Sequence, residues 1–115
     1  MYNKTTTFIA KEDLSGLAGY GVKMIAEMAG GLPKVQKAGK NEDIEGVIVE
    51  PAKAGEPVTV MLKGDFALVK LAGAVTVNDE LEIDDGAFVK KDAGIAVAKA
   101  YQTGVAGDYI KAYLK

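Results

Sequence analysis

The chain has 115 residues, a formal charge of −2 and a pI near 5.1, and all 14 of its positive charges are lysine. It contains no Cys, His, Trp or Arg, which excludes disulfides, thiolate metal sites, a thiol nucleophile and the commonest general base. Lacking arginine forks and any basic stripe, it is not expected to have nucleic acid as a partner.

A chain of this length forms one domain that buries roughly 60 to 70% of its unfolded surface. Its 14 Gly are spaced along the sequence at turn positions and Pro is limited to Pro33, Pro51 and Pro57, so the chain is neither collagen-like nor a disordered linker. The first ten residues carry no apolar stretch of secretory-signal length, and no apolar run is long enough to cross a bilayer. The expectation is synthesis as a soluble cytoplasmic product with no membrane partner.

In chain order, Thr5 to Ile9 is rich in β-branched and aromatic residues and precedes a polar, Gly-rich stretch with Gly16, Gly19 and Gly21. This predicts an extended N-terminal arm and flexible entry over 1–18, with a short helix around Glu12 to Leu17 as an option. From Tyr20 to Met28, apolar residues alternate with Lys23 and Glu27, which predicts a strand with a helix as competitor. Gly30-Gly31 then makes a tight hairpin, returning through Leu32 to Ala38, with Pro33 near an edge.

After the loop Lys40 to Asp43, strands are expected at Ile44 to Glu50, Val58 to Lys63 and Phe66 to Leu71, with Lys63-Gly64-Asp65 read as a hairpin turn. Glu80 to Asp84 turns through Asp85-Gly86 into Ala87 to Lys90, and Ile95 to Gln102 with Tyr109 to Leu114 closes the domain. About nine or ten short strands at intervals of about ten residues predict an all-β barrel or sandwich.

Part of the chain is written twice. Gly46-Val47-Ile48-Val49, closing through Gly55-Glu56-Pro57-Val58, is echoed by Gly94-Ile95-Ala96-Val97, closing through Gly107-Asp108-Tyr109-Ile110, with four extra residues in the second turn. Two related hairpin units, about 31–64 and 86–114, thus lie within a single β domain at 19–115. A unit duplicated without any polar cluster suggests a scaffold whose product is a surface.

The sites that chemistry would need are weak. The carboxylates Asp79, Glu80, Glu82, Asp84 and Asp85 are interleaved with Leu81 and Ile83 and lack the central Gly of a calcium loop, so they read as a solvated strand face without metal. Glu12 with Asp13, and Glu42 with Asp43, are adjacent acids in loops that nothing positions as an acid and base pair. The Gly16, Gly19, Gly21 spacing follows no strand-to-helix unit, so no phosphate cradle or nucleotide cofactor is expected. The chain therefore reads as no enzyme.

Tyrosine is the better candidate, because it joins a rigid apolar ring to a polar tip and is enriched at interfaces. Tyr101, Tyr109 and Tyr113 crowd the last hairpin, and Tyr109 and Tyr113 share a face with Lys111. They are candidates for a subunit interface, the alternative being ordinary exposed rings. Thr5, Thr6, Thr7, Phe8 and Ile9 either add to a neighbour's sheet edge or form the first strand of the protein's own sheet.

The order of elements resembles the small head-decoration, or capsid cement, proteins of tailed bacteriophages. The likeness runs from about Gly19 through Gly30-Gly31, Val35 to Gly39, Gly46 to Val49, Ala54 to Val60, Gly64, Val77 to Leu81, Asp85-Gly86 and Gly94 to Ala98. It implies a compact β-tulip-like barrel or sandwich of short antiparallel strands that sits on the outer surface of the phage head as a trimer. There it would bind the major capsid protein and clamp neighbouring subunits, with Thr5 to Ile9 as the contact arm. This sequence has only a short arm without a Pro-rich stretch, unlike lambda-type members. Two other classes stay open: a surface-displayed carbohydrate- or receptor-binding module, and a lipoyl-like accessory domain, the latter lacking an Asp-Lys hairpin tip.

Overall fold

The computed structural model describes residues 4–115, so Met1 to Asn3, the first residues of the expected arm, lie outside the described residues. The first half of the chain forms β1 (Thr5–Ala10), β2 (Gly21–Ala29), β3 (Leu32–Lys37), β4 (Gly46–Glu50) and β5 (Pro57–Leu62). The second forms β6 (Phe66–Lys70), β7 (Glu80–Asp84), β8 (Ala87–Lys90), β9 (Ala98–Ala100) and β10 (Tyr109–Leu114). Among the described residues there is no helix; Glu12 to Leu17 is a turn, in which the Leu17 N–H donates to the Leu14 carbonyl at 3.2 Å. The protein is all-β.

The first half closes into a barrel in the order β1-β3-β2-β4-β5. β1 runs antiparallel to β5, from Thr5↔Met61 to Ile9↔Pro57, and parallel to β3 at Ile9↔Lys34 and Ala10↔Val35. The terminal segment is therefore not a free arm. Thr5 and Thr7 face solvent while Phe8 and Ala10, two apart and so on one face, enter the barrel core; Ile9 on the other face is buried as well. The boundary expected at residue 18 is no boundary in the fold, which divides instead between β5 and β6. Pro33 sits in a central strand, but just past the last partner of β1, where its missing N–H costs no ladder bond.

The second half is a five-stranded sheet in the order β6-β10-β9-β7-β8, with a parallel bridge Leu71↔Phe88 joining its two ends. Its registers repeat those of the first half. Thr5↔Met61 recurs as Phe66↔Tyr113, Val22↔Lys37 as Leu81↔Lys90, Val22↔Gly46 as Leu81↔Ala98, and Gly46↔Leu62 as Ala98↔Leu114. The parallel bridge stands where Ala10↔Val35 closes the first barrel.

The connections repeat as well. Leu14 N–H donates to Ala52 O as Val75 N–H does to Gly104 O, and Gly55 N–H to Ala10 O as Gly107 N–H does to Leu71 O. The internal duplication is thus a whole five-stranded unit rather than a hairpin. Its alignment also differs from the sequence echo: Gly46 corresponds to Ala98, not Gly94, and the four extra residues in the second turn vanish. The two glycines misled because both open a run of β-branched residues, although Gly94 lies in a loop before β9.

Lys63 to Asp65 joins the two units and is not a hairpin, since β5 and β6 lie in different sheets. The units share one core. Phe88, Leu71, Leu81, Ile83 and Leu114 of the second pack in the same cluster as Ala38, Ile44 and Val47 of the first, while Phe8, Leu14, Val35, Ile48 and Val58 fill the first barrel. The two tight hairpins, β2-β3 and β7-β8, turn on a left-handed pair, Gly30-Gly31 (φ 57° and 82°) and Asp85-Gly86 (φ 53° and 86°), the type I′ geometry that matches strand twist.

Candidate functional site

The outer face of β6 and β10 groups exposed apolar and aromatic side chains with two lysines. Register sets Phe66 opposite Tyr113, Leu68 opposite Lys111 and Lys70 opposite Tyr109. Directly opposed side chains on one face touch, so these pairs form a continuous row. Phe66 packs edge-on against Tyr101 (4.9 Å between centroids) and Tyr113 (5.3 Å). The Lys111 ammonium lies 4.8 Å from the Phe66 centroid and that of Lys70 lies 4.7 Å from the Tyr109 centroid, both within cation–π range. Leu68 between them is 63% exposed.

An apolar groove of ≈ 440 Å³ runs beside this face where β6 meets the first barrel, walled by Val47 to Val49, Met61, Phe66 to Leu68 and Tyr109. A shallower depression beside Phe66, Leu68 and Lys111 flanks β6 on its other side. The groove holds no cluster of polar groups that could carry out a reaction. What the groove and the adjoining face offer together is apolar area, rings and two ammonium groups, which suits adhesion to a protein surface.

The three tyrosines expected at an interface are split by the structure. Tyr101 and Tyr113 brace Phe66, whereas Tyr109, 48% exposed, borders the groove. Lys111 shares their outward face, as its spacing predicts. Phe66, Leu68 and Val49 were not singled out by sequence, since Phe66 to Leu71 is an unbroken apolar run with a single Lys and alternation cannot tell its inner from its outer side. The residues Thr5, Thr6, Thr7, Phe8 and Ile9 lie in the barrel wall, paired with β5, and not in the sheet that carries the tyrosines.

The carboxylates are engaged in holding loops. Glu82 was expected on a solvated face, yet it is only 5% exposed, and its carboxylate accepts the Asp92 and Gly94 N–H groups, both at 2.7 Å. Those N–H donors, Asp92 first and then Gly94, hold its pKa below the usual glutamate value. Glu42 fastens the corresponding loop of the first unit, bonding Lys23 (2.8 Å) and accepting the Gly39 N–H at 2.5 Å, with its pKa lowered chiefly by Lys23. Glu12 accepts the Lys37 N–H, Asp13 accepts from Ser15, and Asp43 bonds Lys63 at 2.7 Å. The adjacent acids therefore point to separate structural partners. Among the described residues no group of acids is arranged to hold a metal ion.

No protein-family model matches the chain, and no curated protein matches it in sequence. Among solved structures it is similar to the crystal structure of the N base of the head fiber gp8.5 in bacteriophage phi29. The TM-score is 0.78 at 18% sequence identity, covering 96% of this chain and 92% of that one. That neighbour is a phage head component, as the sequence resemblance implied, but a fiber base where the resemblance implied a decoration protein. At this identity the likeness establishes a shared fold extending over nearly the whole of both chains.

Proposed function

We propose that the chain is a structural protein of a phage virion that binds the outer surface of the assembled head. On this reading it stabilises the shell by clamping neighbouring major-capsid subunits. The observation that carries the reading is the near-complete coverage in both directions between this fold and the phi29 head fiber base. The exposed row from Phe66 to Tyr109 supports it, because a clamp needs an adhesive face and no reacting group. Many copies on one lattice multiply modest contacts, and each copy favours the assembled shell by mass action. In the same proposal the protein is not an enzyme, needs no cofactor, and assembles as a homotrimer on the head.

The test is to mix purified protein with expanded, undecorated heads and image them. Discrete density at lattice symmetry points is the expected result; bare heads at saturating protein overturn the proposal. A glycan array separates the carbohydrate-binding alternative, since a head-binding protein ignores it. Removal of Met1 to Ala10 is not a clean test of the terminal segment. Phe8 and Ala10 belong to the barrel core, so the truncation is expected to unfold the first unit.

A further inference from the structure

Backbone pairing marks β6 as more than an adhesive face. β6 is the edge of its sheet and, among the described residues, pairs along its length with β10 alone. The Leu114 N–H donates to Asp65 O and the Leu71 N–H to Asp108 O, which fixes the alternation: Ala67 and Val69 direct their N–H and C=O toward β10, while Phe66, Leu68 and Lys70 direct theirs away. The Lys70 N–H is taken by Gly19 O at 2.9 Å and the Phe66 N–H by the Asp65 carboxylate at 2.7 Å. Both main-chain groups of Leu68 are left turned toward the apolar groove that runs along this edge.

The corresponding strand of the first unit lacks these surroundings. β1 has Thr5 and Thr7 where β6 has Phe66 and Leu68, and it is bridged to β3 at both Ile9 and Ala10, where the second unit has the single bridge at Leu71. Lys70 and Lys111 stand over the rings beside the open edge, and among the described residues neither forms an ion pair with an acid. An open edge presents main-chain groups that only another extended backbone can match in register.

We infer that the edge of β6 receives an extended segment of a partner polypeptide in which apolar residues alternate with acidic ones. The apolar side chains would enter the groove over Val47, Val49 and Met61, and the acidic ones would face Lys70 and Lys111. Alternation is required because successive side chains of a strand point to opposite faces. This deepens the proposed head attachment, and rests on it only for the partner's identity.

The experiment titrates the full chain with two synthetic peptides, acetyl-Val-Glu-Val-Glu-Val-Glu-amide and its counterpart with Lys in place of Glu. Binding and amide hydrogen exchange at Leu68 are read together. The Glu peptide is expected to slow Leu68 exchange by at least about tenfold at saturation and to bind about tenfold more tightly than the Lys peptide. Leu68→Pro removes an outward N–H and leaves the β10 ladder intact, so it should weaken binding about tenfold. If that variant fails to fold, the double variant Lys70→Glu and Lys111→Glu decides the matter, and it should prefer the Lys peptide.

Absence of any Leu68 response to either peptide, undiminished binding by folded Leu68→Pro, or an unchanged preference in the charge-reversed variant each overturns the inference. Concentration-dependent protection of Leu68 without peptide also overturns it, since a second copy would then occupy the edge. No heads take part, so failure here leaves head attachment standing. Bare heads with a responsive Leu68 would leave strand addition standing and remove the proposed partner.

Discussion

The two five-stranded units share one set of registers but not one set of side chains, and the comparison separates what the ladder requires from what it does not. Where both carry an apolar residue at equivalent inward positions, such as Phe8 with Val69 and Val60 with Ala112, the fold demands it. They differ in two exposed places. Between Ile25 and Lys34 the first unit extends its hairpin into a finger that carries Met28, 64% exposed, whereas Asp84 and Ala87 of the second are joined directly by Asp85-Gly86. The outer face of the second unit has rings and lysines where the first has threonines. Neither difference serves the ladder, so on the proposed reading each is a surface free to meet a partner.

The largest effects test whether the halves are one cooperative body. Phe88 and Val35 occupy equivalent, fully buried positions beside the parallel bridge. Phe88→Ala is expected to cost about 3–5 kcal/mol, and Val35→Ala less because fewer methyl groups are removed. Since residues from both halves share a core cluster, each variant should still unfold in a single urea transition with a lowered midpoint. Two resolved transitions would mean that the units fold separately.

A backbone contact sharpens the comparison next. Gly46 and Ala98 sit at the same register position, but a Cβ on Gly46 would collide with the Met61 carbonyl oxygen and lie 2.6 Å from Val60 Cγ1. Backbone cannot yield as a flexible side chain does, so Gly46→Ala should destabilise by about 1–3 kcal/mol. The reciprocal change, Ala98→Gly, should cost only about 0.5–1 kcal/mol through strand entropy and a lost contact. Equal thermal shifts for the two would show that the strands are closer in geometry than their residues imply.

The loop anchors differ in burial, and pH reads the difference. Glu82 is held ionised by two N–H donors, with its folded pKa below the ordinary 4.5. A depressed carboxylate contributes stability that is complete above the unfolded value and lost as pH falls through the folded one. Melting temperature measured from pH 7 downward should therefore fall less steeply below about pH 4.5 in Glu82→Gln than in the native chain. Glu42→Gln should flatten the profile less, because Glu42 and Lys23 are more open to solvent screening.

Much of this architecture was legible in the alternation of Tyr20 to Met28, in the left-handed turns at Gly30-Gly31 and Asp85-Gly86, and in the existence of a repeat. What was not legible is long-range. Nothing local in Thr5 to Ile9 distinguishes a free arm from a strand held by β5 and β3, since both are extended and β-branched. Glu82 looked solvated because its neighbours Glu80 and Asp84 are; only the return of the 92–94 loop buries it. The site was half visible, in Tyr101, Tyr109 and Tyr113. Its other half, Phe66 and Leu68, emerges when the register places it across from Tyr113 and Lys111.

The smallest effect on stability should accompany the largest on attachment. Leu68→Thr gives the second unit the residue that its counterpart, Thr7, already carries at the same exposed position opposite a paired strand. Threonine is a good strand residue and Leu68 contributes little to the core, so unfolding free energy should move by no more than about 0.5 kcal/mol. Binding to undecorated heads, followed by co-sedimentation, should nonetheless weaken by about tenfold, since the lost side chain lies at the centre of the ring and lysine row. The reverse exchange, Thr7→Leu, should leave attachment unchanged, because Thr7 stands opposite Thr59 rather than a lysine and is not among the residues that wall the apolar groove. If both exchanges alter attachment alike, the contact surface is spread over the two units and the asymmetry of their outer faces does not mark the site.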